Sequence, residues 1–185
     1  IVDAAFDLES YLARKLGERI GRAQATHFVT GDGSSKPSGI IPASTSAVAS
    51  WTTTYANLVS LFYSVDPAYR GRGIWMMSDT LAAAVRGLVD SQGAPIWNRN
   101  SGLDDGEVES LMGRPVVISN DMDASGSSKK VIAFGCVEDF YIRDVGSVEI
   151  KRSEERYFEF GLVAFLANLR SDSKYFGPTR AWRCG

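Results

Sequence analysis

A long amphipathic helix constrains this chain more than any other feature. Leu8, Leu12, Leu16 and Ile20 recur every four residues within residues 3–27, and charged side chains occupy the other faces. Apolar residues at that spacing lie along one face of an α-helix. Such a helix would span roughly 36 Å, about twice the length of an average globular helix. We therefore expect a strut at the start of the chain.

The helix runs directly into a glycine-rich loop, GDGSSKPSG, at residues 31–39. A lysine among glycines is typical of phosphate-binding loops, but those loops follow a strand and open a helix with Gly-Lys-Ser/Thr. Here a helix precedes the loop, Pro37 follows Lys36, and no βαβ unit surrounds it. The loop is therefore predicted to be a rigid structural connection at the end of the helix. Within it, Gly31 and Gly33 are free to adopt positive φ. The residues predicted to have this structural role are Gly31, Asp32, Gly33, Pro37 and Gly39.

The remaining pattern predicts an α+β fold. Helical spacing from Tyr55 to Val65 ends at Asp66–Pro67, residues 73–77 are typical of a short strand, and Ser78 is placed to cap a further helix. Residues 90–110 are predicted to be a loop. Further strands are expected at 114–119 and 130–136, and a hairpin is expected at 140–152 with its turn at Asp144–Val145–Gly146. The run at 157–170 is apolar on both faces, which predicts a strand that crosses the covered centre of a sheet.

The sequence contains no recognisable catalytic or metal-binding motif. His27 is the only histidine, so it cannot build a multi-histidine metal site, and we interpret it as packed near the end of the helix. Asp121, Asp123 and Ser125 have the spacing that opens a calcium loop, but Ile132 stands where calcium needs a bidentate glutamate. We therefore expect no cofactor, no metal and no enzymatic activity.

Net charge and cysteine content further limit the class of protein to which this chain can belong. The net charge of −2 gives no electrostatic footprint for nucleic acid or an acidic membrane, and no apolar run approaches the ~20 residues that span a bilayer. Cys136 lies in an apolar run and is predicted to be buried, whereas Cys184, next to the last residue, is open to exposure and to a disulfide. The chain starts at Ile1 inside a helical pattern, which indicates a piece of a longer protein.

Two charged segments are candidate functional sites. The first is an acidic cluster in a glycine-bounded loop, read either as a solvated tip or as a source of general acid–base pairs: Asp104, Asp105, Glu107 and Glu109. The second mixes both signs within six residues, and is read either as a solvated connection or as a partner for salt bridges to a neighbouring subunit: Lys151, Arg152, Glu154, Glu155 and Arg156.

Five stretches, in order, resemble the major capsid proteins of tailed bacteriophages. The segment AQATHFVTGDGSSKPSGIIP is similar to the end of that family's spine helix and the G-D-G-x-x-x-P-x-G-I stretch that follows it. Four later segments follow in the family's order, at 74–97, 111–122, 131–144 and 158–172. Together the resemblance covers nearly all of residues 5–183.

The resemblance implies the capsid fold first seen in the Hong Kong 97 phage, with a long spine helix, a peripheral-domain sheet, and an axial domain of mixed sheet with flanking helices. The peripheral domain is expected at 1–51 and 140–178, and the axial domain at 52–139 and 179–185. The loop 100–110 and the tip 120–129 are candidates for contacts around symmetry axes.

The function implied by the resemblance is a structural subunit of an icosahedral phage or prophage capsid, self-assembling into pentamers and hexamers that enclose the DNA genome. The implied partners are further copies of the chain, a scaffolding protein, a portal and non-specifically packaged DNA, with no membrane. The implied location is the virion capsid, assembled in the bacterial host cytoplasm.

Two features of the family are expected to be missing here. Its N-terminal arm and extended loop precede the spine helix and lie outside this chain, so residues 1–185 alone are expected to assemble poorly. Some members join subunits through a lysine–asparagine isopeptide bond aided by a glutamate, with the lysine in the extended loop. Here Asn168 or Leu169 stands at the glutamate position and Gly161 or Leu162 at the acceptor position, so no cross-linking is expected.

Three alternatives stay open at this point. The nearest is the shell protein of an encapsulin-type compartment, which shares the fold, although the G-D-G-x-x-x-P signature favours a phage. The others belong to different classes: a small α+β hydrolase that uses Asp104, Asp105 or His27, and a monomeric binding module.

Overall fold

Helices and strands alternate through the part of the chain that the computed structural model describes, residues 8–47, 51–89, 92–94, 97, 110–123 and 129–185. The helices are α1 (Leu8–Thr30), α2 (Tyr55–Ser64), α3 (Pro67–Arg70) and α4 (Asp79–Arg86), with a 3-10 turn at Phe158–Phe160. The strands are β1 (Thr45–Ser46), β2 (Ile74–Met77), β3 (Ser110–Leu111), β4 (Arg114–Ile118), β5 (Ile132–Gly135), β6 (Phe140–Ser153), β7 (Ala164–Tyr175) and β8 (Trp182–Cys184). The α+β prediction is confirmed.

A mixed six-stranded sheet forms the body of the protein, in the order β1-β8-β5-β2-β4-β3. The β1–β8 and β2–β4 pairs are parallel, and the remaining pairs are antiparallel. All four residues of β5 are buried, because this strand lies at the centre with an apolar layer on each face. Ile132 and Phe134 face α2 and α4, whereas Ala133 faces the end of α1 and the loop that follows it.

Aromatic rings fill the face that α2 and α4 cover. The Trp75 and Phe134 ring centroids lie 4.4 Å apart, and Phe62 packs 4.9 Å from Phe134. The Trp75 indole nitrogen donates to the carbonyl oxygen of Leu111 at 2.9 Å, which gives the buried polar atom a partner. The larger hydrophobic cluster of the protein therefore anchors β3 as well as β2 and β5.

Helix boundaries follow the capping residues read from the sequence. The Ser78 hydroxyl accepts from the backbone of Leu81, so the predicted cap of α4 is confirmed. Asp66 both ends the α2 segment and caps the short α3, because its carboxylate accepts from the Ala68 amide. The long helix continues to Thr30, three residues past its predicted end, and residues 1–7 lie outside the described part.

The predicted hairpin at 140–152 is wrong. Residues 140–153 form the single strand β6, which pairs antiparallel with β7 in a separate two-stranded ribbon. The register shifts between Val145, opposite Arg170, and Glu149, opposite Asn168, so β6 carries a bulge where a turn was expected. Gly146 has a φ of +78° there. A glycine with positive φ is compatible with a turn or with a bulge. Here β7 pairs with β6 on both sides of Gly146, so the chain forms a bulge and continues as a strand.

The predicted covered strand at 157–170 is also wrong. Residues 157–163 form the turn at the end of the ribbon, and β7 begins only at Ala164. Most of the apolar side chains in this stretch are exposed, because none of the residues that the structure describes forms a second layer over the end of the ribbon.

Cys184, whose exposure the sequence left open, is buried because β8 lies between β1 and β5. Cys136 is buried as predicted, and both cysteines are free. Among the described helices, none is long and apolar enough to cross a membrane.

Substitution of Lys130 tests how strongly the six-stranded sheet is bound to the loop after α1. Its ammonium donates to the carbonyl oxygens of Ile41 and Ser44 at 3.1 and 2.8 Å. We expect Lys130→Met to lower the free energy of unfolding by about 1–3 kcal/mol, because two partly buried carbonyls lose a charged donor. Urea unfolding followed by tryptophan fluorescence measures the change.

Lys129→Met is the matched control. Lys129 pairs with Asp123 at 3.0 Å, with both side chains about half exposed, so its loss should cost less than about 1 kcal/mol. Equal effects of the two substitutions would contradict a specific role for Lys130.

Candidate functional site: the helix-exit loop and the ribbon

The loop at residues 31–39 turns the chain back onto the end of α1. The Gly31 amide donates to the His27 carbonyl at 2.8 Å, which closes the helix. The chain then returns, and the amides of Ile40 and Ile41 donate to the carbonyls of Phe28 and Val29 at 2.8 and 3.0 Å. The last carbonyls of the helix, which have no partner within it, are satisfied by the chain that follows.

Within the loop, small residues allow close backbone contact. Asp32 and Ser38 form an isolated antiparallel bridge, and the Gly39 amide donates to the Gly31 carbonyl at 2.7 Å. A Cβ atom on Gly39 would lie 2.6 Å from the Val29 oxygen, and one on Gly31 would overlap the Pro37 carbonyl. Close packing at Gly31 and Gly39 therefore requires glycine.

The expectation of positive φ applies only in part. Gly33 has a φ of +75°, as predicted, whereas Gly31 does not lie in the left-handed region. Ser35 adopts a φ of +59° two residues later, so the second left-handed position is taken by a serine. The prediction is therefore correct for Gly33 and wrong for Gly31, where glycine is needed for the close approach of Pro37, a contact that leaves no local signature in the sequence.

The loop joins three parts of the protein. The Ser38 amide donates to the Ser173 carbonyl at 3.1 Å, and the Ser173 hydroxyl returns a bond to Ser38 at 3.0 Å, which ties the loop to β7. The Trp182 indole donates to the Ile40 carbonyl at 2.9 Å, which ties it to β8. Helix, ribbon and six-stranded sheet thus meet at residues 38–41.

Helix α1 lies along β7 and leaves a groove beside it. Gln24 donates to the Ser171 hydroxyl at 3.1 Å, and Thr26 donates to the Asp121 carboxylate at 2.7 Å. A groove of about 510 Å3 lies between the two elements, lined by Ile20, Ala23, Gln24, His27, Pro37 and residues 167–171. His27 is half-buried in the last turn of the helix, one wall of this groove.

The charged candidates fall in different places. The acidic cluster, Asp104, Asp105, Glu107 and Glu109, lies outside the described residues, as do residues 124–128 of the predicted tip. The mixed-charge segment runs from the end of β6 into the turn that follows, and all of its residues are exposed. Among the described residues, no group of three or more His, Cys, Asp or Glu side chains is placed to hold a metal ion.

Comparison with known proteins assigns this architecture. Residues 1–179 match the phage capsid family. The capsid of an empty GTA particle, computed with C5 symmetry, has a TM-score of 0.81 and 27% identity over 98% of this chain and 67% of its own. A solved structure from Microbacterium phage Oxtober96 matches with a TM-score of 0.67 and 16% identity, over 100% of this chain and 67% of the phage chain. This second match shows a likeness of fold alone. No curated protein sequence matches the chain.

This chain belongs to the phage capsid family. It is a mixed helix-and-sheet capsid protein, a subunit of a shell, from a family of structural proteins. It spans about two thirds of the length of the capsid chains that it matches.

The positions compared with the family's cross-linking residues lie on β7 and at the end of the ribbon. Asn168 is exposed and Leu169 half-buried on β7. Gly161 ends the 3-10 turn with a φ of +62°, and Leu162 next to it is exposed. The absence of cross-linking in this capsid protein stays a prediction.

Glycine substitutions test the packing of the exit loop. We expect Gly31→Ala to destabilise the protein by about 1–3 kcal/mol, because its Cβ would force the Pro37 backbone to move. Gly17→Ala on the same helix is the control, since a Cβ there meets nothing within 4 Å. Alanine should be neutral or stabilise by up to about 1 kcal/mol in that helix interior. Thermal unfolding followed by circular dichroism compares them, and a stable Gly31→Ala protein would contradict the packing argument.

Tyr175 makes the stability sensitive to alkaline pH. Burial, with the neighbouring Asp139 carboxylate, raises the pKa of its phenol from 10.0 to about 12. Its neutral form is therefore favoured in the folded protein, so stability is fully present below about pH 10 and falls between pH 10 and 12 as the unfolded chain ionises first. Tyr175→Phe should remove this component. Stability that falls equally steeply in both proteins over that window would contradict the assignment.

Proposed function

We propose that this chain is the structural subunit of an icosahedral phage or prophage capsid, self-assembling into pentamers and hexamers around a DNA genome. The observation that carries the proposal is the match along 98% of the chain to a capsid computed with C5 symmetry. Identical subunits around a closed axis need interfaces that recur on every copy, and those interfaces are the working sites of a shell protein.

The proposed domain division follows the two sheets. Residues 1–51 and 140–178 would form the peripheral domain, which contains α1 and the ribbon. Residues 52–139 and 179–185 would form the axial domain. Among the described strands, β6 and β7 pair only with each other, which supports the division, while β1 pairs with β8 in the larger sheet and so connects the two parts.

The proposed contacts between subunits include both charged segments. In the ribbon they are Lys151, Arg152, Glu154, Glu155 and Arg156, which are exposed along its end. The acidic cluster Asp104, Asp105, Glu107 and Glu109 is proposed from sequence alone, for contacts around symmetry axes. A scaffolding protein, a portal and non-specifically held DNA complete the proposed partners, assembly is proposed in the host cytoplasm, and no catalytic activity is proposed.

Expression of the complete reading frame tests this function. We expect closed shells, or rings of five and six subunits, by negative-stain electron microscopy and sedimentation velocity. Residues 1–185 expressed alone are the comparison, and we expect them to sediment mainly as small species. A product of the complete reading frame that stays monomeric, with and without a co-expressed scaffold, would contradict the shell function.

A further inference from the structure

Helix α1 concentrates positive charge on a chain that is acidic overall. Between residues 10 and 30 it has four basic side chains and a single acidic one, Glu18, and all five are exposed. The four basic residues are Arg14, Lys15, Arg19 and Arg22. They lie within about 12 Å along the helix axis, at 1.5 Å per residue. The net charge of −2 on the whole chain therefore conceals a basic segment on its longest helix.

The basic residues lie on the side of α1 that faces away from the ribbon. The half-buried residues of the helix recur every three or four positions and so form one stripe along it. They are Leu12, Leu16, Ile20, Gln24 and His27. Gln24 donates to the Ser171 hydroxyl of β7 at 3.1 Å, so this stripe faces the ribbon. At about 100° per residue, the four basic residues and Glu18 lie on or beside the opposite side, which we call the outer face of α1.

Most of the positive charge on the outer face is not neutralised within the chain. Glu18 pairs with Lys15 at 2.9 Å, and both side chains are about half exposed. Among the residues that the structure describes, no carboxylate forms an ion pair with Arg14, Arg19 or Arg22. These three guanidinium groups therefore remain available to an anion from outside the chain.

The surroundings of the outer face leave it accessible. Gly17 and Gly21 border it, and a Cβ atom on either residue would meet nothing within 4 Å. The long basic side chains therefore project beyond their neighbours on that border. Asp121, from the segment after β4, accepts from the Thr26 hydroxyl at 2.7 Å, about one turn beyond Arg22. The basic surface thus ends where the helix approaches the body of the protein.

The side chains on the outer face match a phosphate backbone better than a membrane or a protein. Basic helices that lie in a membrane surface insert a face of large apolar side chains, whereas the apolar stripe of α1 faces β7. Protein contacts have an apolar centre, and stacking on single-stranded bases needs exposed aromatic rings. Between residues 14 and 22, the only large apolar side chains belong to that stripe, and no residue is aromatic.

We propose that the outer face of α1 binds the phosphate backbone of double-stranded DNA without regard to sequence, an inference that rests on the shell function proposed above. Arg14, Arg19 and Arg22 each contact a phosphate, because a guanidinium donates two parallel N–H bonds to phosphate oxygens. Lys15 joins them when Glu18 releases it. Each subunit binds weakly, and a shell presents many copies of the face to one enclosed molecule.

Removal of the three arginines tests the contact in the 185-residue chain. Fluorescence anisotropy with a short labelled DNA duplex measures the affinity over about 50 to 200 mM salt. We expect R14Q/R19Q/R22Q to weaken binding at least about tenfold and to reduce the salt slope by about three, roughly one for each phosphate contact. Glutamine is a good helix former, so the unfolding temperature should not change.

Two further variants separate the outer face from general charge effects. R72Q/K129Q/K151Q is the matched control, because these exposed cations are scattered over the fold and each already pairs with a carboxylate. Its affinity should change less than about threefold, since salt screens charges that lie away from the contact. E18Q should tighten binding and raise the salt slope by about one, because it frees Lys15 for a phosphate.

Binding and assembly are measured separately, so the two proposals can fail separately. Duplex binding that is absent, or that falls equally in the triple variant and its control, overturns the DNA contact. Polyglutamate that binds as tightly as the duplex at equal salt assigns the face to an acidic protein segment, and also overturns it.

The complete reading frame supplies the second readout. R14Q/R19Q/R22Q should form normal shells, because the outer face contacts DNA and no other subunit. Loss of shells in that variant, while the wild-type protein assembles, would place the face between copies of the chain and overturn the DNA contact. Wild-type protein that forms no shells overturns the shell function itself, whatever the anisotropy shows.

Discussion

The return of the chain onto the last turn of α1 is the interaction on which the rest of this structure depends. Helix, ribbon and sheet meet at residues 38–41 through backbone hydrogen bonds, with Ser173 and Trp182 adding one side-chain bond from each neighbour. Backbone bonds of this kind fix distance and direction together, so they hold the ribbon in a defined orientation to the loop after α1. Gly31 and Gly39 make the approach possible, since either side chain would separate the two passes of the backbone.

Elements that depend on local signals were predictable from the sequence. The four-residue apolar period gave α1, the Ser78 cap gave the start of α4, and the short apolar runs gave β2, β4 and β5 close to their observed bounds. Each of these depends on neighbours within a few residues, through helix periodicity, capping or the alternation of a strand. The order of strands in the sheet depends on distant pairings, such as β8 between β1 and β5, which buries Cys184 close to the end of the chain.

The two errors in the ribbon have different physical causes. Gly146 was interpreted from its local neighbours alone, whereas pairing with a distant strand decides its conformation, and the apolar run at 157–170 was interpreted as a strand covered by the rest of the chain. In the structure β6 continues past Gly146 because β7 pairs with it on both sides, and Phe158 and Phe160 are exposed. The mixed charges at 151–156 and the glycine at position 161 were the available sequence signals that this stretch ends a ribbon and does not cross a core.

The buried core of this capsid protein is concentrated in one part of the fold. The large buried residues, Trp75, Phe134 and Trp182, lie in or against the six-stranded sheet, whereas the ribbon beyond its bulge buries little. An isolated two-stranded ribbon is only marginally stable in water, so its outer half would gain stability from any further contact. In a shell, each contact between identical neighbours can stay weak, because closure of the shell engages many of them at once. Exposed aromatic residues such as Phe158 and Phe160, which would be an aggregation hazard in a monomeric protein, are thus compatible with a subunit whose neighbours are copies of itself.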